Sequence, residues 1–180
     1  MRSLQPPFQD PVNFSHLFTN TQKTIFRYIY GIHGGPIEEV EDITCETYIR
    51  AWKGRNHFWG DEHDALCWLF TIARHLVIDT HRRKKVHPDS MYSPLDFDID
   101  CMNFSNQTNP EDQAYDTEQF RQLWKIIQNL PGDKREVLIL RFMLGWKVKE
   151  IAQFLHKQEN TVSVTIRRCL EQIRHDWEIN

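Results

Sequence analysis

Two long runs of this chain lack proline, one between Pro36 and Pro88 and one after Pro131. Proline inside a helix removes a hydrogen bond and clashes with the preceding turn, so runs like these are where long helices can form. Ahead of the first run, Phe14, Leu17, Phe18, Thr21, Ile25, Tyr28 and Ile29 recur at helical spacing over residues 14–30. After the Gly-Gly-Pro break at 34–36, a second helix is predicted from about Ile37 to Lys53, facing Val40, Ile43, Thr47, Ile49, Ala51 and Trp52 inward. The loop GRNHFWG, bracketed by Gly54 and Gly60, leads into a third, with Leu66, Leu69, Phe70, Ala73, Val77 and Ile78 inward. From Phe120 the periodicity returns: Phe120, Leu123, Trp124 and Ile127; Val137, Leu138 and Phe142; Val148, Ile151, Ala152 and Leu155. A last helix carries Val162, Ile166, Cys169, Leu170, Ile173 and Trp177. Spacings of three and four predict amphipathic helices, and alternation of the kind that marks a strand is absent. Residues 86–119, with Pro88, Pro94 and Pro110 among Asp, Ser and Asn, read as a linker. The expected fold is all-α: a flexible N-terminus over residues 1–13, small helical domains over 14–85 and 120–180, and the linker between them.

Charge is distributed along the same lines. The net charge of −3 would by itself point away from nucleic acid. Yet residues 1–85 hold 11 basic and 10 acidic side chains, residues 86–120 hold 8 acidic and no basic, and residues 121–180 hold 11 basic and 7 acidic. An acidic tether thus masks a basic C-terminal module. The longest apolar stretch, Ala65–Ala73, is far short of the roughly 20 residues a membrane span needs. The N-terminus has no apolar signal region. Cys45, Cys67, Cys101 and Cys169 are scattered, so a soluble cytoplasmic protein with reduced thiols is expected, its helical cysteines acting as small hydrophobes.

Three segments carry candidate chemistry. Lys149–His156, the turn KQEN and a helix from Thr161 read as a helix-turn-helix, with Ala152 small enough for a close crossing and Val162 and Ile166 sealing it. Asn160, Ser163, Val164, Arg167 and Arg168 would then lie on or near the outer face, where a recognition helix reads base edges and phosphates. A plain helical hairpin with solvated arginines is the alternative. Arg74–Lys85 (RHLVIDTHRRKK) is a basic stripe suited to phosphate through Arg74, Arg82, Arg83, Lys84 and Lys85, with His75, Asp79 and His81 as polar contacts to bases. Just before it, Asn56, His57, Phe58 and Trp59 occupy the glycine-bracketed loop, whose aromatics could stack on unpaired bases, or Phe58 and Trp59 could simply cap the core. On Glu38–Lys53 the early acids suit the helix dipole, and Glu46 and Arg50 form an i,i+4 pair. P-loop, GxGxxG, HExxH and GxSxG motifs are absent, and Asp61-Glu62-His63-Asp64 lacks both a phosphate loop and metal-ligand spacing. Neither enzymatic activity, a cofactor nor a metal is expected.

VEDITCETYIRAWK followed by ALCWLFTIARHLVIDTHRRKK resembles domain 2 of the extracytoplasmic-function (ECF) sigma factors of bacterial RNA polymerase. LPGDKREVLILRFMLGWKVKEIAQFL and NTVSVTIRRCLEQIR resemble their domain 4. The resemblance implies that Glu41, Asp42, Glu46, Thr47 and Arg50 dock on the β′ clamp helices of core polymerase, with the β flap as a second contact. It implies that Asn56, Phe58, Trp59 and Arg74–Lys85 recognise and melt the −10 element. Asn160, Thr161, Ser163, Val164, Thr165, Arg167 and Arg168 would enter the −35 major groove, while the linker threads toward the active-site cleft and RNA exit path. Promoter DNA and an anti-sigma factor are further implied partners, and the free protein is expected to be monomeric. Departures from the family pattern stand at His156 (often Gly), Lys147 (usually a capping Ser or Thr), Ser163–Thr165, Cys45 and His75. Two other readings remain: a regulator binding duplex DNA without polymerase, and an interaction module that mimics a sigma factor or acts as an anti-sigma factor.

Overall fold

The computed structural model describes residues 8–86 and 110–179, with only the backbone described for residues 85, 86 and 110–117. The chain divides into two compact units, Met1–Tyr92 and Ser93–Asn180. The described residues are helical and contain no strand. Most of the 86–119 segment therefore lies outside the described residues.

In the first unit three helices pack on one another: α1 (Pro11–His33), α2 (Ile37–Gly54) and α3 (Glu62–Val86). α1 starts at Pro11, so residues 11–13 are helical rather than part of a loose terminus. Asp10 caps it by accepting from the Val12 backbone N–H at 3.1 Å, and proline suits the first helical turn. The core is Ile25, Tyr28 and Ile29 of α1, Val40 and Ala51 of α2, and Ala65, Leu69, Phe70 and Ala73 of α3, all fully buried. Tyr28 meets Phe70 edge to face at 4.7 Å, and Phe14 meets Trp52 at 5.1 Å. Tyr48 reaches Thr21 Oγ1 at 2.8 Å, and burial pushes its hydroxyl up to about 12 despite that bond.

The second unit packs α4 (Pro110–Asn129), α5 (Gly132–Leu138), α6 (Val148–Phe154) and α7 (Glu159–Ile179). α4 begins ten residues before the Phe120 start that periodicity suggested, because Pro110 stands at the first helical position, where a missing N–H is no loss. Trp124, Leu130, Val137, Leu138, Ile151, Ala152, Val162 and Cys169 are buried. Of the two residues expected to seal the helix-turn-helix, Val162 is fully buried and Ile166 only partly so. Burial pushes the Cys169 thiol pKa up. Arg135 of α5 is also buried and donates to the Gln128 carbonyl and Oε1 at 2.9 and 2.7 Å, tying α5 to α4.

Several apolar residues expected inside face solvent. Phe142 is 58% exposed because α5 widens into a π-turn over Ile139–Met143, closed by Leu144 N–H to Ile139 O at 3.1 Å, which rotates the ring off the packed face. Leu170 and Trp177 are exposed on α7. Phe18 is exposed too, though its ring leans edge-on against Tyr48 at 4.8 Å. Ile49 and Ile78 lie outside for a reason that concerns the site below.

The turn between α6 and α7 is a Schellman motif. Lys157 N–H reaches Ala152 O at 2.8 Å and His156 N–H reaches Gln153 O at 3.3 Å, with His156 at φ 52°. A histidine thus holds the left-handed position that glycine takes most easily. His156→Gly is expected to stabilise this unit by about 0.5–1 kcal/mol, read as a higher urea midpoint at unchanged slope. An unchanged or lower midpoint would contradict the strain. At the other end of α6, Lys147 supplies no side-chain acceptor. Glu150 instead accepts from the Lys147 backbone N–H at 2.7 Å, which makes half a capping box.

Candidate nucleic-acid interface

α3 is launched by its own first turn. Asp61 Oδ1 accepts from Asp64 N–H at 2.9 Å, and Asp64 Oδ2 accepts from Asp61 N–H at 3.1 Å. The DEHD run is therefore a reciprocal helix cap. A Cβ at Gly60 would lie 2.5 Å from Asp64 Cβ, so only glycine fits just before it. Upstream, Arg55–His57 form a 3₁₀ turn, and the Arg55 guanidinium sits 3.4 Å from the Trp52 ring centre. Phe58 is half-buried, stacked on Trp68 at 4.8 Å and near Phe8 at 5.6 Å. Trp59, the next residue, is 58% exposed, and Asn56 is exposed as well. Of the two rings, one caps the core and one is left to solvent.

At roughly 100° per residue, His75, Ile78 and Arg82 form an outer stripe on α3, opposite Leu69 and Ala73. Ile78 is 48% exposed there, which corrects its inward assignment. Arg83 is exposed, Arg74 is partly buried, and Asp79 pairs with Arg82 at 3.6 Å. Two members of the basic cluster point elsewhere. His81 lies edge-on against His33 with ring centres 5.1 Å apart, and Lys84 donates to Glu39 of α2 at 2.6 Å. Both face the other helices rather than the outer stripe. The Lys85 side chain lies outside the described residues.

On α2 the outer stripe is Asp42, Cys45, Glu46, Ile49 and Lys53, with Glu41 and Arg50 at its flanks. Arg50 Nε donates to Glu46 Oε1 at 2.7 Å, both half in solvent. Thr47 is corrected: it is fully buried, its hydroxyl bonded to Ile43 O at 2.7 Å, so it packs the core and presents nothing outward. Ile49, assigned to the core from its spacing to Val40, is instead 46% exposed in the middle of this face. Cys45 is exposed beside it rather than serving as a buried hydrophobe. Its spacing of four to Ile49, and of three to Asp42, was the available signal.

α7 turns Val162 and Cys169 inward and leaves Asn160, Thr161, Ser163, Val164, Arg167 and Arg168 exposed. Asn160, Ser163, Val164 and Arg167 lie opposite the buried face, and Arg168 and Thr161 flank them. Thr165 is partly buried and returns its hydroxyl to Thr161 O at 2.8 Å. α7 begins at Glu159, two residues before the expected start, which brings Asn160 into the first turn. Arg167 lies 3.9 Å from Glu171 with both side chains mostly in water, too loose a pair to hold the guanidinium back.

Among the described residues no group of three or more metal-ligating side chains occurs, and no helix is long and apolar enough to cross a membrane.

Residues 17–86 match Sigma-70 region 2, and residues 120–173 match Sigma-70 region 4. The ECF RNA polymerase sigma factor SigX of Bacillus subtilis is 30% identical over 141 residues, covering 78% of this chain and 72% of that protein. SigW of the same organism is 29% identical over 153 residues, covering 78% and 76%. Two solved structures share the fold. RpoE of Bartonella quintana matches at a TM-score of 0.70 and 16% identity, over 93% of this chain and 98% of that one. CnrH matches at 0.65 and 19%, over 96% and 92%. The chain belongs to the ECF sigma factors of RNA polymerase: it is a transcription initiation factor, not an enzyme, that binds core polymerase and directs promoter recognition and DNA melting.

Proposed function

We propose that the two units divide this work by surface. The outer face of α2, with Glu41, Asp42, Glu46 and Arg50, docks on the β′ clamp helices, and the exposed Ile49 supplies its apolar centre. Asn56 and Trp59 trap bases unstacked from the −10 element, while Arg74, His75, Arg82 and Arg83 follow the phosphates. α7 enters the −35 major groove through Asn160, Ser163, Val164, Arg167 and Arg168, and the second unit also contacts the β flap. The acidic linker runs toward the active-site cleft and the RNA exit path. An anti-sigma factor is a further partner, as NepR is for RpoE in its co-crystal structure. The free protein is a monomer acting in the cytoplasm.

The observation that carries the −10 reading is Trp59. Its ring is 58% exposed while the neighbouring Phe58 is folded onto the core, so it has a face open to an unstacked base. Base stacking on such a ring is worth about 1–3 kcal/mol. Trp59→Ala is expected to leave core-polymerase affinity unchanged while reducing open-complex formation about tenfold, followed by permanganate reactivity of −10 thymines. Normal melting by the variant would contradict the assignment.

A further inference from the structure

α3 outruns its apolar anchorage. Leu76 and Val77 are the last buried apolar residues with described side chains, and Ile78 beyond them faces solvent. Arg82 and Arg83 therefore stand beyond the last buried apolar residue among the described side chains. Polar groups of the other helices reach these turns. Lys84 Nζ donates to Glu39 Oε2 of α2 at 2.6 Å, and His33 Nε2, at the end of α1, meets the same oxygen at 2.8 Å. The His33 side chain is 1% exposed, and His81 rests edge-on against it. The loop between α1 and α2 is shaped to this ring: a Cβ on Gly35 would fall 2.7 Å from His33 Nε2. One carboxylate thus joins the end of α1, the start of α2 and the end of α3. Burial pushes the Glu39 pKa up, but the bonds from Lys84 and His33 outweigh it and hold the group ionised below its usual range.

We propose that Glu39 and His33 are positioning residues for −10 recognition: through Lys84 and His81 they fix the last turns of α3, so that Arg82 and Arg83 are presented to the DNA backbone already ordered. This rests on the reading that the end of α3 meets −10 DNA. Lys84 is then a tie and not a phosphate contact. Ordering that precedes binding removes a cost from the complex, so loss of the tie weakens affinity without changing how many phosphates are neutralised. A lost phosphate contact behaves differently, because it also flattens the salt dependence by about one unit.

The two are separated by measuring holoenzyme affinity against salt, on fork-junction DNA built from a promoter that the holoenzyme transcribes. Glu39→Gln and Lys84→Ala should each weaken binding about tenfold, the scale of ordering a few side chains on association. The double variant should bind no worse than either single one, the salt slope should stay at the wild-type value, and Lys84→Arg should restore affinity. Arg82→Ala should instead lower the slope by about one. The inference is overturned if Lys84→Ala binds as tightly as wild type, or if it lowers the slope as Arg82→Ala does while Glu39→Gln binds normally or better. Should Glu39→Gln lose its helical signal, the contrast between Lys84→Ala and Lys84→Arg decides alone. If Arg82→Ala and Arg83→Ala change nothing, the −10 reading itself fails and this inference falls with it.

Discussion

Phe70→Ala is expected to cost the N-terminal unit about 3–5 kcal/mol, the range for emptying a fully buried aromatic site. The ring has no exposed surface and stands edge-on to Tyr28 at 4.7 Å, where α1 and α3 pack. Both helices are held there by side chains that are themselves fully buried, so collapse into the cavity would require repacking Ile25, Ile29 and Leu69. Small domains have only about 5–15 kcal/mol in total, so much of the unit's stability would go. At about 4–8 °C per kcal/mol for a unit of this size, its thermal transition should fall by roughly 12–40 °C. Calorimetry on the full chain checks this, with the C-terminal transition as internal reference. A shift below about 5 °C would contradict the placement of Phe70 at the centre of the core.

Removing both Arg167 and Arg168 should be the most damaging change at the −35 surface. Both side chains are exposed on α7, and the Glu171 partner of Arg167 is too distant and too wet to compete with phosphate. Each phosphate neutralised contributes about 0.9 to the slope of log affinity against log salt, or close to tenfold at about 0.1 M salt. Arg167→Ala with Arg168→Ala should therefore weaken holoenzyme binding to −35-containing duplex by roughly fifty- to hundredfold and flatten the slope by about two. An unchanged slope would mean that α7 meets DNA by another face.

The helical architecture was legible because proline and apolar spacing act locally, turn by turn. Val162 and Ala152 went where periodicity put them, since both lie in helices with one clear apolar face. Ile49, Ile78 and Phe142 did not, for two different reasons. Ile49 and Ile78 lie opposite their helices' buried residues, and counting apolar residues without phase assigned them inward. Phe142 follows a π-turn that shifts the phase, which a fixed period of 3.6 cannot anticipate. The basic run on α3 was visible, but which of its members face outward was not. Lys84 and His81 turn toward Glu39 and His33 through contacts that span 45 and 48 positions of sequence. Thr47 was assigned to docking by family resemblance, whereas its own spacing to Val40 and Ala51 already placed it inside.

Run-off transcription with core RNA polymerase on genomic fragments, with and without this protein, tests the central claim most directly. The account predicts that core polymerase alone gives no discrete products and that adding the protein yields a restricted set of transcripts. Those transcripts should disappear with the Trp59→Ala, Arg167→Ala, Arg168→Ala triple variant even though it still binds core. Failure of the wild-type protein to bind core polymerase, or binding without any start site, would contradict it.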